Sequence, residues 1–96
     1  NGKDEIKDLA RLRLASVLLD EKAYDEALKQ LEATHAAAFD VRFLELRGDV
    51  LAAQGKKPEA RTAYKAALDK GEVREGRGGV GRELLQQKLD SLGEVA

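Results

Sequence analysis

Apolar residues recur along the chain at intervals of three and four, broken by short polar turns, and that period is helical. The first helix is expected from about Asp4 to Leu19. Its apolar positions are Ile6, Leu9, Leu12, Leu14, Val17, Leu18 and Leu19, and they do not form one stripe. At about 100° per residue, Ile6, Leu9 and Val17 share a side while Leu14 and Leu18 point away from it. A helix apolar nearly all round expects neighbours on two sides. Asp20-Glu21-Lys22 then turns the chain into a second helix, Tyr24 to about Ala33, with Ala27, Leu28 and Leu31 on one face. His35 to Phe39 reads as a loop, and Asp40 as the N-cap of helix three, its carboxylate accepting first-turn amides. Helix three carries Val41, Leu44, Gly48, Leu51 and Ala52 and stops near Gly55. After Lys56-Lys57, Pro58 suits the first turn of helix four, whose apolar face is Ala60, Ala63, Tyr64, Ala67 and Leu68. Residues 70–81 hold five of the nine glycines and are expected to be a flexible loop. A last helix, about Val80 to Leu92, carries Leu84, Leu85, Leu89 and Leu92, and Gly93 closes it.

The two helix pairs repeat. One constant shift carries Ala15 onto Gly48, Leu18 onto Leu51, Lys22 onto Gly55, Ala27 onto Ala60 and Leu31 onto Tyr64. A helix–turn–helix unit with a period of this size is the mark of a helical solenoid. The small residues at fixed places have a packing cause, because antiparallel helices approach closely only where contact points lack bulk. The expected architecture is an all-α single domain over 1–96. It comprises repeat one at about 8–34, repeat two at about 41–69 and a capping helix at about 80–92.

The unit resembles a tetratricopeptide repeat. The second copy matches through Gly48, Gly55, Ala60, Tyr64 and Ala67, and the first through Ala15, Tyr24 and Ala27. Arg47, Lys57 and Thr34 depart from the pattern, standing where it prefers Leu, an aromatic and Ala. A narrower resemblance covers about Asp8 to Leu92. The strings LRLASVLLDEKAYDEALKQLEA and LRGDVLAAQGKKPEARTAYKAAL are similar to the C-terminal part of the YfgM family. The stretches Leu46-Arg47-Gly48-Asp49 and Ala60-Arg61-x-Ala63-Tyr64 carry most of that likeness. The loop from Gly71 to Gly79 is richer in glycine than the family leads one to expect. The resemblance implies a tetratricopeptide-like domain on the periplasmic side of a bacterial inner membrane, held by an N-terminal anchor. It also implies a role as an ancillary subunit of the SecYEG translocon, with periplasmic chaperones or emerging secreted chains as partners. The chain opens on Asn rather than Met, as an excised or processed piece would, so the anchor is expected outside these residues.

Composition narrows the classes further. Seventeen Lys and Arg against eighteen Asp and Glu leave a net charge of -1, with no surplus for phosphate backbones or anionic lipid. Hydrophobic residues at 43% and charged ones at 36% are a folding balance, not a disordered one. Alanine and leucine supply fifteen residues each, which favours helix over strand. The chain has no Cys and one His, which removes disulfides, thiolate chemistry and multi-histidine zinc sites. No apolar run nears the roughly 20 residues of a bilayer span.

Three constellations invite a chemical reading, and each has a plainer one. Gly76-x-Gly78-x-x-Gly81 spells a dinucleotide fingerprint, but no strand precedes it and no acidic residue follows on a next strand. Arg74, Arg77 and Arg82 beside it are nearly cancelled by Glu72, Glu75 and Glu83. Glu45 and Asp49 share a helix face as paired carboxylates would, yet Arg42 three residues earlier makes a solvated ion-pair face sufficient. His35 reads as an exposed loop histidine, with no nucleophile and acid assembled around it. No catalytic, cofactor or metal site is expected.

An interaction surface remains. In the repeat framework the first helix of each pair lines a concave groove, placing Leu9, Leu12, Ser16, Leu19 and Asp20 opposite Arg42, Glu45, Asp49, Ala52 and Ala53. Such a groove suits an extended or helical segment of a partner protein. The face Leu9, Leu12 and Leu19 is expected to be left over once Leu14, Val17 and Leu18 are buried. A second copy, a partner or upstream helices would then cover it. The alternative to a translocon subunit is a generic tetratricopeptide adaptor of another assembly, in the cytoplasm or elsewhere. Nucleic acid is not an expected partner.

Overall fold

The computed structural model describes residues 2–33, 35–75 and 80–92, with side chains described at 5–33, 35–71 and 83–92. Helix α1 (Gly2–Asp20) leads to α2 (Tyr24–Leu31), and a 3-10 turn (Ala37–Phe39) runs into α3 (Asp40–Ala53). Helices α4 (Lys57–Glu75) and α5 (Val80–Ser91) follow, and no strand occurs among the described residues.

The corners set the geometry of each pair. At the end of α3, Gly55 adopts φ +81°, its amide donates to the Ala52 carbonyl at 3.0 Å, and that of Lys56 donates to Leu51 at 2.9 Å. This paired return satisfies carbonyls that a helix end leaves open. One repeat earlier, Lys22 donates to Leu19 at 2.9 Å and Ala23 to Leu18 at 2.8 Å, with Lys22 at φ +63°. The same corner is therefore made by a residue whose Cβ opposes it. Left-handed backbone costs a non-glycine residue roughly 1–2 kcal/mol.

Small residues let the paired helices approach. Ala15, Ala27, Ala60 and Ala67 are wholly buried, and a Cβ added to Gly48 would lie 2.5 Å from the Tyr64 ring. Repeat one answers with the complementary sizes, Ala15 and Leu31, at the same two positions. Two apolar seams result. Leu12, Ala15, Ala27, Leu31, Phe43 and Val50 form one, between the first pair and α3. Leu51, Ala60, Ala63, Tyr64, Ala67, Leu85 and Leu92 form the other, between the second pair and α5, and Leu28 packs against both. The smallest dimension is 17 Å, that of two helix layers at ordinary packing distance.

The connection between the pairs is tied by polar contacts. The carboxylate of Asp8, itself buried, accepts the Ala36 amide at 2.8 Å. Asp40 does not act as the N-cap that its sequence position suggests. The 3-10 turn runs straight into α3, Phe39 sits at the cap, and the Asp40 amide is already bonded to the Ala37 carbonyl. Its carboxylate instead meets His35 Nε2 at 2.7 Å and Lys70 Nζ at 3.3 Å. Burial works against the charged carboxylate, but the bonds from Lys70 and His35 outweigh it and hold its pKa below the usual value. His35 is not an exposed loop residue. Its Nδ1 lies 3.1 Å from the Ala33 carbonyl, and its ring stacks on Phe43 at 4.0 Å.

Two further expectations are corrected. Residues 70–75 are helical, because α4 carries through Gly71 to Glu75 and α5 starts at Val80. Positions 76–79, with most of the glycine fingerprint, and the closing Gly93 lie outside the described residues. The leftover face of α1 also differs from the one expected, except that Leu18 is packed as foreseen. Leu12 is buried, Leu18 and Leu19 pack against its seam, and it is Ile6, Leu14 and Val17 that stand exposed. Leu9 parts company with Ile6 and Val17 and is half-buried.

The Lys22 corner gives a direct test. Lys22→Gly relieves the left-handed strain and should raise stability by up to about 1 kcal/mol in urea unfolding, some of the gain being lost to the freer unfolded chain. No gain, or a loss, would show that the first corner is not built like the second.

Candidate functional site

Helices α1 and α3 lie side by side in one layer and leave an open cleft of about 230 Å³ between them. Four residues of each helix line it: Leu9, Leu12, Arg13 and Ser16 from α1, and Arg42, Glu45, Leu46 and Asp49 from α3. These are the same four positions of the repeat, related by the shift that carries Ala15 onto Gly48. Spacings of three, four and seven put them on one face of each helix. The periodicity that builds the fold thus also builds the cleft. Its chemistry is not symmetric, however. Half of the α1 wall is leucine, and three of the four residues of the α3 wall are charged.

The carboxylates of the α3 wall are already engaged. Lys88 of α5 reaches across to donate to Glu45 at 2.6 Å and to the Asp49 carboxylate at 3.1 Å. The buried Tyr64 hydroxyl donates to Asp49 Oδ1 at 2.6 Å. Burial works against the Lys88 ammonium, but the two carboxylates outweigh it and its pKa lies above that of an ordinary lysine. Burial together with the Asp49 bond and the nearby carboxylate charges pushes the Tyr64 phenol well up. Neither Lys88 nor Tyr64 is therefore a poised base or nucleophile. With the two carboxylates they form a braced wall. Arg13 and Arg42 are exposed and pair with no carboxylate among the described residues, so they are the charges that the cleft offers outward.

Of the ten residues the repeat framework placed on the groove, Leu9, Leu12, Ser16, Arg42, Glu45 and Asp49 line the cleft. Leu19 packs instead on the first seam and Ala52 on the second, while Asp20 and Ala53 are exposed near the corners and do not line it. Arg13, Leu46 and Lys88 were not anticipated. Arg13 and Leu46 are repeat equivalents one step from residues already named, so the repeat shift could have found them. Lys88 carries no such signal, being 43 and 39 residues from its partners. Glu45 pairs with Lys88 and not with Arg42, against the expectation of a pair within α3. Among the described residues no group of His, Asp or Glu converges as a metal site, and no helix is long and apolar enough to cross a membrane.

Removing the brace has a defined pH signature. Lys88→Met should cost about 1–2 kcal/mol by leaving two carboxylates facing each other. A raised folded-state pKa means that the lysine's contribution is complete below 10.5 and is lost as pH climbs through the higher folded value. The gap between parent and variant in thermal melts should therefore hold from pH 7 to 9 and narrow only above the ordinary lysine range. A gap that closes by pH 9 would contradict the bridge.

Comparison with known proteins agrees with the helix-pair fold. Residues 1–94 match the family described as a tetratricopeptide repeat-like domain. A protein of Neisseria gonorrhoeae named ancillary SecYEG translocon subunit is 48% identical over 93 residues, covering 96% of this chain and 43% of that protein. The protein of the same name in Escherichia coli K12 is 32% identical over 89 residues, covering 93% of this chain and 41% of its own length. The chain thus spans less than half the length of these relatives. No solved structure matches.

Proposed function

The chain belongs to the YfgM family through its tetratricopeptide repeat-like domain, and on that premise we propose that it is a non-catalytic protein-binding module of an ancillary SecYEG translocon subunit. It would work on the periplasmic side of the inner membrane, where translocon subunits, chaperones or emerging secreted chains are the partners. The observation that carries this reading is the cleft between α1 and α3. It pairs Leu9 and Leu12 with two exposed arginines, while Lys88 and Tyr64 already engage its carboxylates from within. A partner segment that fits presents apolar side chains to Leu9 and Leu12 and carboxylates to Arg13 and Arg42. Opposite charge steers such a segment and sets its register, and the apolar contact supplies most of the affinity.

Site-specific photocrosslinking in the full-length protein tests it. A photoreactive residue at Ser16, on the cleft, should give adducts with translocon subunits, chaperones or secreted chains. One at Lys65, exposed on α4 in the other layer, should not. Arg13→Glu with Arg42→Glu should leave the melting temperature near the parent's, since both side chains are exposed, and cut the Ser16 adducts by about ten-fold. Equal crosslinking from both positions, or adducts indifferent to the charge reversal, would remove the cleft from the binding surface.

A further inference from the structure

Each first helix of the array carries an apolar pair seven residues apart that faces the preceding second helix. On α3 the pair is Phe43 and Val50, which share a seam with Ala27 and Leu31 of α2. At α5 it is Leu85 and Leu92, the latter in the turn just past the helix, which share a seam with Ala60, Tyr64 and Ala67 of α4. Helix α5 is therefore a third first helix, with Leu85 and Leu92 in the places of Phe43 and Val50 but reached by a longer connection. The same contact is made twice, by two sequences with different loop lengths, so it belongs to the repeat and not to one pair of helices.

Carried back by the shift that takes Gly48 to Ala15, Phe43 and Val50 fall on Ala10 and Val17. Phe39, which also packs on the first seam, falls on Ile6. These three positions form one stripe along α1. They are open: Ile6 is 70% exposed, Val17 51%, and Ala10 is exposed as well. Leu14, at 44%, maps onto Arg47 and borders the same stripe, four residues from Ala10 and three from Val17. A contiguous apolar stripe on a stable helix is usually a contact face.

We propose that the stripe Ile6, Ala10 and Val17 seats the second helix of a further helix pair of the same protein. That helix lies on α1 as α2 lies on α3 and as α4 lies on α5. Three observations converge on this occupant. The contact has two precedents within the described residues, and the stripe occupies the repeat-equivalent positions. The relatives are also more than twice as long as the stretch that matches, so a polypeptide of this family has room for further pairs. The register is specified too. Ala10 stands where α3 has the ring of Phe43, so the covering helix must bring a bulky side chain to that point. At the α2–α3 seam the sizes are reversed, with the large Phe43 on α3 and the small Ala27 on α2 in one cluster.

The chain has no cysteine, so a single introduced thiol reports without background. Val17→Cys and Ile6→Cys should react with a maleimide in the 96-residue chain as fast as Lys65→Cys, an exposed control. In the purified full-length gene product they should react at least about ten-fold more slowly, with the control unchanged. Equal reactivity in the full-length protein would overturn the assignment. So would protection in the isolated chain that grows with its concentration, because the occupant would then be a second copy. Using two thiol positions on one exposed face guards against a misfolded variant, since neither native side chain is needed by a seam.

Discussion

The structure depends on how closely the two helices of a pair can cross. At the second crossing the α3 backbone at Gly48 lies against the ring of Tyr64, with no room for even a methyl group between them. At the first crossing, Ala15 and Leu31 share out the same space with a larger and a smaller side chain. Packing at this density leaves the helices one relative position, because voids and overlaps each cost a few kcal/mol. Tyr64 also brings its hydroxyl to Asp49, so the contact that sets the crossing fixes one carboxylate of the cleft wall. Fold and site meet in one residue.

From that crossing the rest follows by translation. The corner after each first helix uses the same pair of backbone bonds, and the cleft is lined by the same four positions of both first helices. The third first helix, α5, arrives by a longer path but repeats the seven-residue apolar pair and sends Lys88 across the α3 wall. An array of this kind is held by contacts between neighbours, so its terminal faces are where further contacts are made. Its binding face is a by-product of stacking: side chains that point away from the seams line up from one repeat to the next.

The parts of this that were legible in the sequence are those that small residues and period encode. Ala15 with Gly48, Ala27 with Ala60 and Lys22 with Gly55 disclosed the repeat, and Gly55 disclosed the corner. The five helices follow from leucine and alanine spacing, and the family from two strings within the pairs. What was not legible depends on distance or on competition. The apolar wheel of α1 could not say which side met its neighbours, because leucine occurs on both; only the packed helices show that Leu12 goes in and Val17 stays out. Asp40 has the composition of an N-cap, but the 3-10 turn before it satisfied its amide first and freed the carboxylate for His35 and Lys70. Gly71 suggested a loop, and α4 ran through it, a cost of about 1 kcal/mol that a long packed helix absorbs. Lys88 was invisible because its partners lie on a helix that only tertiary structure brings near.

The close crossing is tested most directly by a double-mutant cycle on Gly48 and Tyr64. In the parent background Gly48→Ala should destabilise by about 1–3 kcal/mol, since the new methyl group meets the Tyr64 ring. In the Tyr64→Leu background, which recreates the Ala15–Leu31 pairing of the first repeat, the clash is gone. There the same substitution should cost little or turn favourable, since alanine is preferred to glycine in a helix by about 1 kcal/mol. Urea unfolding of the four proteins measures the coupling. If Gly48→Ala costs the same in both backgrounds, or stabilises the parent, the two helices do not cross where this account places them.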